Sequence, residues 1–295
     1  EEALRRAIGV IDVERPPVPF RVEFDPVREL SIAAFGGEDD ASGMVAQQLN
    51  VDNTANNLAN ANTTGFKHRR VQFQDLLYQN LVAPGTASGQ QTTFPAGLQL
   101  GLGTRVVSNE VIFKQGDFLV TDNPLDVVIE GKGFFQVVMP TGELAYTRAG
   151  SFQIDRDGNL VTSNGDLIDP NIAIPREALN VTIANDGTVS YTLPGQNQTS
   201  QAGLLQIADF QNPAGLRALG SNLFQPTEAS GDPVIGTPGG QEGMGALRQG
   251  MLEGSNVSIV EEFIHMITSQ RAYEANSRVV RAADEMLQEA NSLTR

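Results

Sequence analysis

The chain of 295 residues has two histidines, His68 and His265, and no cysteine. A zinc-type site needs three or four clustered nitrogen or sulfur ligands, so transition-metal chemistry has almost no material to work with. His68 stands beside Arg69 and Arg70, whose charges oppose a bound cation, and His265 falls within an apolar-periodic segment. No Gly-x-Ser-x-Gly elbow presents a serine nucleophile. Gly131-Lys-Gly133-Phe134 looks like half a dinucleotide loop, but the third glycine is missing. A strand-like run also follows where a helix must begin. Asp155-Arg-Asp157-Gly-Asn159 imitates the start of a calcium loop, with its glycine too early and no closing glutamate, and reads as a hairpin turn. Asp122 with Asp126, and Asp166 with Asp169, are acid pairs of the kind glycosidases use. The chain has no tryptophan to make a sugar platform beside them. No catalytic, cofactor-binding or metal-binding residue is assigned.

The elements that would have to position a site are more informative than the site. With 35 acidic against 20 basic residues the net charge is −15, a field that repels a phosphate backbone, so nucleic acid is not expected as a partner. The composition is 40% hydrophobic and 19% charged, that of a folded chain. No run approaches the apolar length of a membrane span, so no membrane insertion is expected. Residues 1–30 lack the basic and then apolar pattern of a secretory signal. Texture divides the chain into an atypical proline-containing leader (1–42), a helix and turn (43–77), an extended stretch (78–107), a β-rich outer domain (108–243) and a C-terminal helical part (244–295).

Periodicity is clearest near the C-terminus. Ile259, Met266, Tyr273, Val280 and Leu287 recur every seven residues, which predicts a bundle or coiled-coil seam. A helix from Val257 to Leu293 would be roughly 55 Å long at about 1.5 Å per residue. Asn256 or Ser258 could cap it, with Glu261 completing a capping box. The N-terminal helix, about Met44–Ala61, repeats Met44, Val51 and Leu58 on a thin apolar line among many asparagines, which are poor helix formers. It needs a partner, and Thr63-Thr64-Gly65 supplies its stop. Between the helices, short β-branched runs such as Phe134–Val138, Leu144–Thr147 and Thr188–Thr192 predict strands. Asp157-Gly158, Asn164-Gly165 and Asp186-Gly187 supply hairpin turns. The predicted fold class is α+β, with long N- and C-terminal helices pairing in a coiled-coil-like bundle and a central β-rich domain inserted between them.

Seven segments carry a resemblance. Asn57-Leu-Ala-Asn60-Ala-Asn-Thr-Thr64-Gly65-Phe66-Lys67 resembles the N-terminal signature of the flagellar rod and hook family. Gly250-Met-Leu-Glu-Gly-Ser-Asn256-Val-Ser-Ile-Val-Glu-Glu262, with Ser269-Gln270-Arg271-Ala-Tyr273-Glu-Ala-Asn276-Ser277, is similar to its C-terminal signature. Val71–Tyr78, the stretch from Ala83 to Gly101, and Gly131–Phe135 with Tyr146–Phe152 are similar to the distal-rod branch. The resemblance covers about residues 43–295.

It implies a structural, non-enzymatic subunit of the basal-body rod, a rigid drive shaft crossing the periplasm. It further implies self-assembly as a helical polymer and contact with proximal-rod and hook subunits and with the surrounding rings. Export would run through the flagellar type III apparatus without a cleaved signal peptide. No cofactor is implied. A hook or proximal-rod subunit is the alternative within the family, and a secreted β-rich carbohydrate-active enzyme the alternative outside it. Family members begin shortly before the equivalent of Gly43, so residues 1–42 read as a gene-model artefact, with a genuine extension the alternative. In either case Phe35–Ser42 is expected to break the first helix.

The assembly interface is expected at Met44, Val51, Leu58, Ile259, Met266, Tyr273, Val280 and Leu287. Replacing one seam residue by alanine would cost about 2–4 kcal/mol if it is fully buried. In the free chain both helices are expected to fray while the β region stays folded.

Overall fold

A computed structural model describes residues 37–85, 95–195, 198–240 and 243–293. The leader up to residue 36 and residues 86–94, which include the expected Gln91–Phe94 part of the extended stretch, lie outside the described residues. Two α-helices flank the β-strands: α1, Gly37–Ala59, and α2, Ile259–Leu293. Helix α1 runs through Gly37–Ser42, so this acidic segment does not break it as expected. The helix closes as its last carbonyls pair with Asn60 and Ala61, and Gly65 turns the chain at φ 72°.

The helices run antiparallel. Asn50 of α1 donates to Ser269 Oγ of α2 at 2.9 Å, and Asn57 lies at 3.4 Å from Glu262 Oε2. Further along, a side chain on Gly43 would meet Asn276. Rising positions on one helix thus meet falling positions on the other.

The predicted coiled-coil-like bundle does not form. The α2 residues buried at this contact are Glu262 and Ser269, and those of α1 are Ala46, Thr54 and Asn57. Of the expected seam, Ile259 is 43% and Tyr273 42% exposed, and Met266 and Val280 are half-buried. The Leu287 side chain lies outside the described ones. Small and amide side chains let two backbones approach and bond across the gap, whereas an apolar seam needs interdigitating branched residues on both helices. Helix α1 offers too few, so the pair closes on its polar face.

The β-rich centre is present as expected, and its turns are those read from the sequence. Strands Phe152–Ile154 and Leu160–Thr162 meet across Gly158, Leu160–Thr162 and Leu167–Asp169 across Gly165, and Asn180–Ile183 and Thr188–Thr192 across Gly187. All three glycines have positive φ, which those hairpins require. Among the described residues the largest sheet has nine strands, centred on Phe134–Val138, whose neighbours are Leu144–Thr147, Leu167–Asp169 and Ile207–Asp209. One face buries Phe135, Val137, Phe152, Leu160, Ile168 and Leu205. The other buries a cluster in which Phe134, Tyr146, Phe210 and Phe224 meet Phe113 and one another edge to face.

The segment expected to be a turn after the first helix is a strand. Arg69–Asp75 pairs antiparallel with Thr104–Val111, and the ribbon runs along α1, where Thr104 N–H donates to Ser42 Oγ at 3.1 Å. Beyond it, Tyr78–Val82 and Leu98–Gly101 pair only with each other among the described residues.

Gly150 tests how tightly the domain closes. Val127 N–H donates to its carbonyl at 3.0 Å, and a Cβ at this position would lie 1.7 Å from Val127 O. Gly150→Ala is expected to destabilise the β domain by about 3 kcal/mol, the upper end of ordinary overpacking. Urea unfolding followed by far-UV circular dichroism reads the effect.

Candidate functional site

The N-terminal arm, the C-terminal arm and the β domain meet at one place. The chain leaves α1 through Gly65, which sits against Ala149 so closely that an added Cβ would lie 2.7 Å from its nitrogen. Gly65 N–H donates to the Glu253 carbonyl at 2.8 Å, and Asn222 Nδ2 donates to the Thr64 carbonyl at 2.8 Å. The turn after α1 is therefore fixed from both sides before Lys67 is reached.

Lys67 enters the interior. Its Nζ lies 2.5 Å from Glu253 Oε1 and donates to the Lys114 carbonyl at 3.0 Å. Arg148 reaches the same carboxylate from the β domain, with Nε 3.1 Å from Oε2. The two terminal nitrogens of Arg148 donate to Gly133 O at 2.7 Å and Gly131 O at 2.9 Å. Gly116 N–H adds a bond of 3.1 Å to Glu253 Oε1. All three side chains are no more than 5% exposed.

One carboxylate thus holds two cations in a dry site. Burial pushes the Lys67 amine below its ordinary pKa, opposed by the attraction of Glu253. Arg148 is pushed down by burial in the same way, again opposed by Glu253. Desolvation outweighs attraction in both, as it does when buried charges lose more hydration than one partner returns.

A second layer of amides surrounds this node. Asn57 accepts from Arg69 N–H at 3.0 Å and donates to Arg69 O at 2.8 Å, making both bonds a neighbouring strand would make. Asn53 donates to the same carbonyl at 2.7 Å. Asn256 does not cap α2. It accepts from His68 N–H at 2.6 Å and donates to Ile112 O and Lys114 O, both at 2.9 Å. His68 Nε2 lies 2.8 Å from Glu262 Oε1 on the first turn of α2. Asparagine suits such crossings because one side chain carries both donor and acceptor.

Of the residues singled out in the sequence, Asn57, Thr64, Gly65 and Asn256 come together at this junction. Asn60 bonds within its own turn, donating to Asn56 O at 2.9 Å, and Phe66 is half-buried. Phe66 helps line a groove of about 500 Å³ with Leu49, Asn56, Val71 and Phe224. Gln270 and Arg271 face outward on α2, and Asn276 is half-buried toward Gly43. Met44, Val51 and Leu58 are half-buried along α1. Val260, Phe263, Ile264 and Ile267 of α2 are exposed. Sequence reasoning passed over Glu253, Arg148 and Glu262, although all three lie in segments it had marked. Their signal is a charged residue inside an otherwise apolar or glycine-bearing run, and nothing local says which distant charge it meets. No cluster of metal-ligating side chains occurs among the described residues.

Three family models match. The flagella basal body rod protein model covers residues 40–67, the flagellar hook protein FlgE/F/G D1 domain 128–191, and the flagellar basal body rod FlgEFG protein C-terminal model 248–293. Their outer two stretches contain the two arms of the junction, and the middle one contains Arg148. At the level of whole chains, the flagellar basal-body rod protein FlgG of Buchnera aphidicola subsp. Schizaphis graminum is 50% identical over 252 residues, 85% of this chain and 96% of that protein. The protein of the same name from Borreliella burgdorferi is 50% identical over 257 residues, 86% and 97% of the two chains. That of Caulobacter vibrioides is 47% identical over 254 residues, again 86% and 97%. The chain belongs to the flagellar basal-body rod FlgG family.

Removing the carboxylate should leave two buried cations facing each other. Glu253→Gln is expected to cost about 3–5 kcal/mol, read as a lowered urea midpoint of the free chain. The alkaline side offers a separate check. Lys67 holds its proton less tightly folded than unfolded, so below its ordinary value of 10.5 the unfolded chain carries more proton there. Stability contributed by Lys67 therefore rises with pH in that range. The urea midpoint of the wild type should rise relative to that of Lys67→Met as pH climbs toward 10.5. A constant difference would remove the buried amine as its source.

Proposed function

We propose that the chain is a structural subunit of the distal rod, copies of which assemble helically into the rigid shaft that carries torque from motor to hook. The observation that carries this reading is the buried Lys67–Glu253–Arg148 node. A subunit that transmits torque must pass load from its helices to its outer domain without bending at the connection. Here both arms are fastened to the β domain at a single desolvated point, with amide braces on either side. The function needs stiffness and no bond chemistry, and the chain works without catalysis.

Assembly follows from the surfaces left over. The helix pair closes on its polar face, which turns Val260, Phe263, Ile264 and Ile267 outward. Apolar side chains in that number are costly in water and become favourable when a neighbouring copy covers them. Met44, Val51, Leu58, Ile259, Met266, Tyr273, Val280 and Leu287 lie on the same two helices and form the contact with adjacent copies. Heterologous contacts of this kind grow open-ended rods. The ribbon of Tyr78–Val82 and Leu98–Gly101 reaches an adjacent subunit and resists bending. The further partners are proximal-rod and hook subunits at the two ends, the rings outside, and the flagellar type III export apparatus that delivers the chain.

Purified basal bodies from the source organism provide the test. Immunogold against this chain should label the rod segment just below the hook; label on the hook or at the inner membrane would assign it elsewhere in the axial structure. In the same strain, Phe263→Asp with Ile267→Asp should leave the soluble chain folded and abolish rod growth and swimming. Normal motility in that strain would exclude this α2 surface as an assembly contact.

A further inference from the structure

The strand Phe118–Val120 is bonded on one side only. It pairs with Met251–Glu253, Leu119 opposite Leu252, and no other described strand joins it. The pairing continues outward as Thr121 N–H donates to Gly250 O at 3.0 Å and Gly254 N–H to Asp117 O at 2.8 Å. Alternate residues of an antiparallel strand turn their backbone groups to opposite edges. Asp117, Leu119 and Thr121 therefore face Met251–Glu253, while the N–H and C=O groups of Phe118 and Val120 face away. The side chains are uncovered as well, with Phe118, Leu119 and Val120 exposed by 36%, 49% and 67%.

Shortness and flanking charge limit what an open edge can pair with. This one is three residues long and carries a carboxylate at each end. Asp117 precedes the strand and Asp122 follows it, both exposed, and no charge lies between them. Asp122 is one of few non-glycine residues at positive φ, 57°, a conformation that ends the strand at that point. The edge is thus a short apolar ladder with an anionic group at each end.

We infer that this edge is a strand-addition site for a different chain, one with an extended apolar segment flanked by lysine or arginine on both sides. Backbone bonds to Phe118 and Val120 supply the affinity and the two carboxylates select the flanking charges, as in other edge-strand recognition. A second copy fits poorly, because no described strand of this chain is basic at both ends.

The test uses the full-length monomeric chain with two synthetic probes, the acetylated and amidated hexapeptides Lys-Val-Thr-Val-Thr-Lys and Glu-Val-Thr-Val-Thr-Glu. The basic peptide should bind, slow amide exchange at Phe118 and Val120 while leaving Leu119 unchanged, and weaken as salt is raised. The acidic peptide should bind about tenfold less tightly. Asp117→Asn with Asp122→Asn should lower affinity for the basic peptide about tenfold, with an unaltered unfolding midpoint; asparagine tolerates the positive φ at position 122. Should that variant not fold, the salt dependence and the exchange pattern of the wild-type chain still decide. Equal binding of the two peptides, or protection away from Phe118 and Val120, would overturn the assignment. Concentration-dependent broadening at these two amides without peptide would make the occupant a second copy and overturn it equally.

Discussion

A single carboxylate, that of Glu253, is shared by Lys67 from the N-terminal arm and Arg148 from the β domain, and the remaining architecture is arranged to keep that contact dry. Residues 67 and 253 lie 186 positions apart, so the pair ties the two ends of the β region together. Buried ion pairs seldom add net stability compared with apolar side chains of the same shape, but breaking one is expensive. Such a contact specifies a geometry more than it strengthens a fold. For a subunit whose task is to hold an angle under load, that is the useful property. Any rotation of the helix pair against the β domain would have to separate two cations from the carboxylate they share, in a medium that cannot solvate them.

The asparagines follow from the same constraint. A helix, a ribbon and an outer domain cannot all continue one another's hydrogen-bond ladders where they cross. Asn57 and Asn256 fill the gaps by offering side-chain amides in place of strand partners. The cost is a weak α1, rich in a residue that competes for its own backbone. It is offset by the α2 contact through Asn50 and Ser269 and by the ribbon lying along it. Closing the pair on small and amide groups has a second effect: branched side chains of α2 such as Val260, Ile264 and Ile267 are left exposed.

Much of this was legible in the sequence, and the parts that were not share a cause. Hairpin glycines 158, 165 and 187 and the strands around Phe134–Val138 and Thr188–Thr192 could be read locally, because turn chemistry and period-two patterning are local. The seven-residue repeat from Ile259 was real, but its meaning was misjudged. Periodicity says that a face is apolar, not whether its partner lies in the same chain, and the inner face of α2 is marked by Glu262 and Ser269. Arg69–Asp75 was missed as a strand because its charges hide the alternation. The node itself was out of reach: Lys67 closes the N-terminal signature segment, and no local pattern joins it to Glu253.

If the node is what couples the helices to the β domain, protection should fall with distance from it. Residue-resolved hydrogen exchange on the monomeric wild-type chain measures this directly. The account predicts that amides at the near ends, Asn53–Ala59 of α1 and the first turns of α2, are protected to the level of the Phe134–Val138 strand, declining steadily toward Gly37 and Leu293. Near ends that exchange as fast as the far ends while the β core stays protected would contradict it.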